Sequence, residues 1–335
     1  MIESAFMSES LARGLTSRFF NEMIELGNRL GSKLNSKKPR IINRNSHLKY
    51  ISLVKKDLAD ALILDYEGGS NSHPYYALDL ISAFKDREFN TWKEKCVSGS
   101  TMLFSFSPRY FDWTPSPYTL GEHAIYRLFC RTKPLMGKNG INSKYIIRQL
   151  EYLPLWSNFW IKQCYFDENS NLDITPVLPA PNGLFLGRAN HSDLLFEIRT
   201  FIGDSQLSEN QYEAKSELLK IGKPYLKSPL SFATPIMATG IDYVYAIQLG
   251  LCHDLSHSSK LGAIKNELFK NIENDSMRSS AKNIFELKLN EHRNFFSSKL
   301  VQNLKKDIRG SLKEWKVGIY KNLADHPTTS DHIIK

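Results

Sequence analysis

The side chains best placed to do chemistry sit in HSDLLFEIRT, residues 191–200. On a strand, alternation puts Asp193, Leu195, Glu197 and Arg199 on one face. An acid and a cation two residues apart, with a further acid nearby, suit a divalent ion: carboxylates bind the metal and the cation orients the attacking water. Asp173 or Asp193 supplies that further acid, and phosphodiester hydrolysis is the matching chemistry. Two departures weigh against it. Arg199 stands where a lysine is usual, and a guanidinium does not lose its proton to become a base. No Pro-Asp pair precedes the triplet. A strand edge carrying a Glu197–Arg199 ion pair is the plainer expectation.

A second group lies in AIQLGLCHDLSHSSKLG, residues 246–262. His253 and His257 are four apart and share a helix face if the helix continues, and Asp254 adjoins them. The apolar run ending in His253-Asp254 locally resembles the signature of HD-domain metal phosphohydrolases. The resemblance implies metal binding by that pair, but it requires an upstream His at a spacing that His191 and His123 do not offer. The expectation is a helix end that caps its own carbonyls, with His253, Asp254 and His257 as metal candidates.

The third feature is electrostatic. Between Glu25 and Asp57 the chain has no acid and nine cations: Arg29, Lys33, Lys37, Lys38, Arg40, Arg44, Lys49, Lys55 and Lys56. They account for the whole formal charge of +9, since the remaining Lys and Arg balance the 35 Asp and Glu. Such a run repels itself and is best stabilised by a polyanion. Closely spaced phosphates fit it, with counterion release driving association. Asn35, Ser36, Asn43, Asn45 and Ser46 are interleaved and add neutral phosphate contacts. A solvated face that keeps the chain in solution is the competing explanation.

Aromatics cluster at Phe104–Trp113 and Trp156–Phe166. Stacked bases are one use for them, and core packing is the commoner one. The chain shows no Walker loop, no GxGxxG after a strand, no GxSxG and no protein-kinase set, which argues against ATP hydrolysis, dinucleotide redox and serine hydrolysis. Cys96, Cys130, Cys164 and Cys252 form no CxxC pair, so reduced thiols are expected. The acid-bearing start MIESAFMSES does not read as a secretory signal. The apolar run 237–252 is broken by Asp242 and is too short to span a bilayer, so no membrane partner and a cytoplasmic location are expected.

These groups need elements to hold them. Leu11, Leu15, Phe19, Met23, Leu26, Leu30 and Leu34 recur at helical spacing, with Ser8 or Ser10 as cap and Pro39 as stop. Helices are expected near 51–65, 75–95, 119–131, 142–153, 209–221 and 237–252. Segment 102–113 reads as extended. Segment 172–202 reads as two or three strands with a tight turn at Asn182-Gly183. Leu300, Leu304, Ile308, Leu312, Trp315, Ile319 and Leu323 repeat the N-terminal stripe.

The expected fold is α+β, with helical N- and C-terminal segments around a small central β-containing region. Candidate divisions are 1–67, 75–202 and 209–335, separated by the loop 68–74 and the turn region 203–210. The expected function is nucleic-acid binding, to DNA or RNA and mainly through phosphate, by the basic segment 29–56. A mobile-element, defence or ribonucleoprotein system is the setting it suggests. No cofactor is expected. The alternatives are a divalent-metal nuclease centred on Asp193 and Glu197, and a non-enzymatic adaptor that docks other protein subunits through its end helices.

Overall fold

The computed structural model describes residues 7–35, 44–57, 62–70, 73–88, 95–105, 110–132, 136–137, 140–141, 143–164, 174–190, 195–227 and 243–297. The fold is mixed α+β. Its centre is a seven-stranded sheet of β1 (Leu62–Ser70), β2 (His73–Glu88), β3 (Lys95–Ser105), β4 (Tyr110–Gly121), β7 (Leu178–Ala180), β8 (Gly183–Asn190) and β9 (Leu195–Gly203), in the order β1-β2-β3-β4-β9-β8-β7. Neighbours are antiparallel except β4 and β9, which run parallel. A parallel pair needs a long crossover. Here it carries α3 (Glu122–Arg131), the short pair β5 (Met136–Gly137) and β6 (Gly140–Ile141), α4 (Ser143–Leu150), α5 (Leu153–Cys164) and the β7–β8 hairpin.

Two expected helices are strand in part or for the most part. In the segment near 51–65, residues 51–57 belong to α2 (Arg44–Asp57) and residues 62–65 to β1. The segment 75–95 is mostly β2. The reason lies in double-sided burial. Leu78 and Leu80 point to one side of β2 and Ile81 to the other, and all three are buried. A strand covered on both faces loses its alternation and reads like a buried helix. Loop 68–74, taken above as a candidate division, holds the connection of the β1–β2 hairpin, with Ser70 paired to His73.

Helices cover both faces. α1 (Glu9–Asn35) begins at Ser8, whose Oγ accepts a long bond from the Leu11 amide. It buries Leu15, Phe19, Met23 and Leu26, together with Ala12 and Phe20, in the main core against β2 and α3. These residues of the stripe thus pack within their own chain, leaving Arg13, Arg18 and Arg29 outward and Leu11 44% exposed; the side chains of Leu30, Lys33 and Leu34 lie outside the described ones. α2 lies on the opposite face, where Ile51 and Val54 meet Leu78, Leu80 and Met102 in a separate small core.

At the other end of the sheet, α5 places Trp156, Phe159 and Trp160 at zero exposure, with ring centroids 4.9–5.6 Å apart. That aromatic group is core. α6 (Glu209–Lys227), α7 (Tyr243–Ser256), α8 (Leu261–Leu268) and α9 (Asp275–Ser297) complete this end. The repeated stripe 300–323 lies outside the described residues. Among them, no helix is long and apolar enough to cross a membrane.

Candidate functional site

The strand register assembles a polar row that no local pattern reveals. Ser82 on β2 pairs with Ser98 on β3, Ser98 with Thr119 on β4, Thr119 with Glu197 on β9, and Glu197 with Arg188 on β8. Paired residues share a face, so β3, β4, β9 and β8 present four polar side chains in one line. Ser98, Thr119 and Glu197 are 7%, 4% and 2% exposed. Ser100, two residues along β3 and opposite Leu80, is buried as well. Among the described residues, the hydroxyls of Ser98, Ser100 and Thr119 have no hydrogen-bond partner. Buried polar groups are ordinarily paired, and each orphan costs about 1–3 kcal/mol. The row adjoins the α2 patch, because Leu80 and Met102 lie on the same face of β2 and β3.

Glu197 anchors the end of the row. Its carboxylate accepts bonds from Arg199 (2.7 Å), Asn190 (3.0 Å) and Arg188 (3.3 Å). A β-bulge makes this convergence possible. Leu186 pairs with Thr200 and Gly187 with Ile198, so Arg199 is an extra residue on β9, and a bulge re-aims a side chain. Gly187 is needed opposite it, because a Cβ there would run into the Glu197 backbone carbonyl. Burial works to raise the Glu197 pKa. The bonds from Arg199 and Asn190 and the charge of Arg188 outweigh burial and hold it below the ordinary carboxylate value.

For the metal-nuclease alternative, the groups gathered on Glu197 among the described residues are thus two guanidiniums and an amide. Asp173 and Asp193 lie outside the described residues. No three metal-ligating side chains converge among the described residues.

At the end of α7, His253 and His257 come together with ring centroids 4.5 Å apart. His253 Nδ1 lies 3.1 Å from Asp254 Oδ1, and His257 Nδ1 lies 2.8 Å from the His253 carbonyl. Ser256 Oγ also donates to that carbonyl, so the helix end is capped by its own side chains as expected. Sequence reading missed one participant. Tyr225 on α6 is buried and donates its hydroxyl to Asp254 Oδ2 at 2.8 Å. Gly250 permits this, since the Tyr225 ring lies across it and a Cβ would stand 2.6 Å from the phenol oxygen. Nothing in the spacing links residue 225 to residue 254.

The basic interval is described in part. Arg29 is exposed on α1, and Lys33 belongs to the same helix. Arg44 opens α2, which also carries Lys49, Lys55 and Lys56. Lys37, Lys38 and Arg40 lie outside the described residues. Lys49 and Lys56 are exposed, seven residues apart and so on one side of the helix, with Asn45 and Ser52 exposed beside them. Among the described residues neither lysine has an acidic partner.

Set against known proteins, the chain matches no family model, and no curated protein or solved structure shows significant similarity to it.

Proposed function

We propose that the protein binds nucleic acid, DNA or RNA, through phosphate contacts from the basic segment 29–56. One observation supports this most. The apolar side of α2 is buried on β2 and β3, so the helix cannot roll, and its outward side carries Lys49 and Lys56, which have no acidic partner among the described residues. At 1.5 Å per residue they stand about 10 Å apart, roughly three axial steps of one duplex strand. A rigid cationic helix loses little ordering entropy on meeting a phosphate backbone. Asn45 and Ser52 supply neutral hydrogen bonds on the same side. The setting that suits this activity is a mobile-element, defence or ribonucleoprotein system in the cytoplasm.

The test is a salt titration of binding to a generic duplex and a generic single strand. Affinity should fall with salt with a log–log slope of several units. Reversal of Lys37, Lys38, Arg40 and Arg44 to Glu should abolish binding while the circular dichroism spectrum is kept. Reversal of Lys49 and Lys56 to Glu should reduce the slope by about two. Undiminished binding by the folded quadruple variant would refute the reading.

A further inference from the structure

Helix α9 sorts its side chains onto three sides. Ala281, Phe285 and Leu289 are buried in the main core. The charged residues are held sideways. Lys282 Nζ donates to Asn266 Oδ1 on α8 at 2.8 Å, Glu286 pairs with Lys265 of α8, and Arg278 Nε donates to the Ile272 carbonyl. On the remaining side every exposed residue from Ser276 to Leu287 is uncharged, in a chain of which 24% is charged. Met277, Ile284 and Leu287 on that side are 52%, 43% and 62% exposed. Such a strip, apolar and without charge, has the composition of an interface centre rather than of a solvated helix face.

The spacing along the strip selects what fits it. Met277, Ser280, Ile284 and Leu287 follow one another at three, four and three residues, the a/d repeat of a helix that packs along another. This pattern is its own complement. A two-fold axis crossing the helix midway between Ser280 and Ile284 sets Met277 against Leu287 of the partner subunit and Ser280 against Ile284 of the partner subunit. The small Ser280 leaves room for a branched side chain, and no like charges meet along the strip. We propose that a second copy of this chain docks there, α9 against α9 and antiparallel, in an isologous dimer. The next position of the repeat is Glu291, so the contact is short. It belongs to the small, transient class of interface, under about 1,200 Å². The docking face does not depend on the basic segment.

Sedimentation equilibrium of the full chain, freed of nucleic acid, tests the proposal. The mean mass should rise from one chain toward two with a midpoint at roughly 100 μM, in the range of a small contact. Salt at about 1 M should not reverse it, since screening acts on charges and not on apolar contacts. Met277→Lys and Leu287→Glu, both at exposed positions compatible with folding, should each weaken association about tenfold or more while the circular dichroism spectrum is kept. The double variant Met277→Lys/Leu287→Glu should recover it at low salt, because the antiparallel register sets the two introduced charges opposite each other. A single-chain mass at every concentration up to about 500 μM would overturn the dimer. A dimer indifferent to Leu287→Glu would overturn it as well, and so would failure of the double variant to recover. If the wild type stays a single chain and Leu287→Glu opens residues 298–335 to protease, the strip is covered by that segment and the proposal falls.

Discussion

At the scale of single residues, Glu197 carries the sharpest consequence. Two guanidiniums and an amide meet one nearly inaccessible carboxylate, and removing its charge takes an anionic partner from both Arg188 and Arg199. Glu197→Gln should cost about 3 kcal/mol, as breaking a buried pair does. Arg188 is 42% exposed, so solvent screens part of its share. The pH dependence follows from the lowered pKa. A carboxyl held below its unfolded value contributes stability that is present above that value, near 4.5, and is lost as pH falls through the folded one. Urea midpoints of wild type and Glu197→Gln should therefore differ at pH 7, and the gap should shrink as pH falls below the unfolded value near 4.5. A gap unchanged down to pH 3 would mean that the carboxylate charge does not carry the effect. The interaction was only partly foreseeable: Glu197 and Arg199 share a strand, whereas Arg188 and Asn190 arrive through hairpin register, and the bulge has no sequence signal.

At the scale of elements, the row across β3, β4, β9 and β8 behaves unlike an ordinary core face. Orphaned hydroxyls destabilise where they stand, so an isosteric apolar replacement should relieve the cost. Thr119→Val should raise the unfolding free energy by about 1 kcal/mol and lift the melting temperature by a few degrees. A loss of stability would instead show that the hydroxyl is satisfied by a bound water. The sheet that carries the row also shows where reading by element fails. β2 is apolar on both faces and imitates a helix, while α1, buried along one stripe and solvated elsewhere, keeps the helical period. The turn at Asn182 is equally clear, since Ala180 and Gly183 close a two-residue loop there.

At the scale of the whole molecule, the uneven charge is the dominant fact. Folding fixes Lys49 and Lys56 on one side of α2, and like charges held together are stabilised by a polyanion. A ligand that binds only the folded state stabilises it by mass action. Heparin or a short duplex should therefore raise the melting temperature at low salt, and the effect should vanish at about 1 M salt, where the screening length is roughly 3 Å. A chain with Lys37, Lys38, Arg40 and Arg44 reversed should show little shift. An equal shift in both chains would place the polyanion elsewhere.

What the sequence determines on its own is whatever depends on near neighbours. The concentration of charge, the α1 stripe, the helices near 122, 143 and 209, the tight turn at Asn182 and the capped end of α7 are written in residues within a few positions of one another. Tertiary structure decides what depends on distant segments meeting. Strand pairing sets Ser98 beside Thr119 and Thr119 beside Glu197, packing carries Tyr225 to Asp254 over Gly250, and burial on both faces turns an apparent helix into β2. Helical periods and turn chemistry are local energies and leave local patterns. Register and packing are settled by which surfaces exclude water together, and that choice leaves no fixed spacing along the chain.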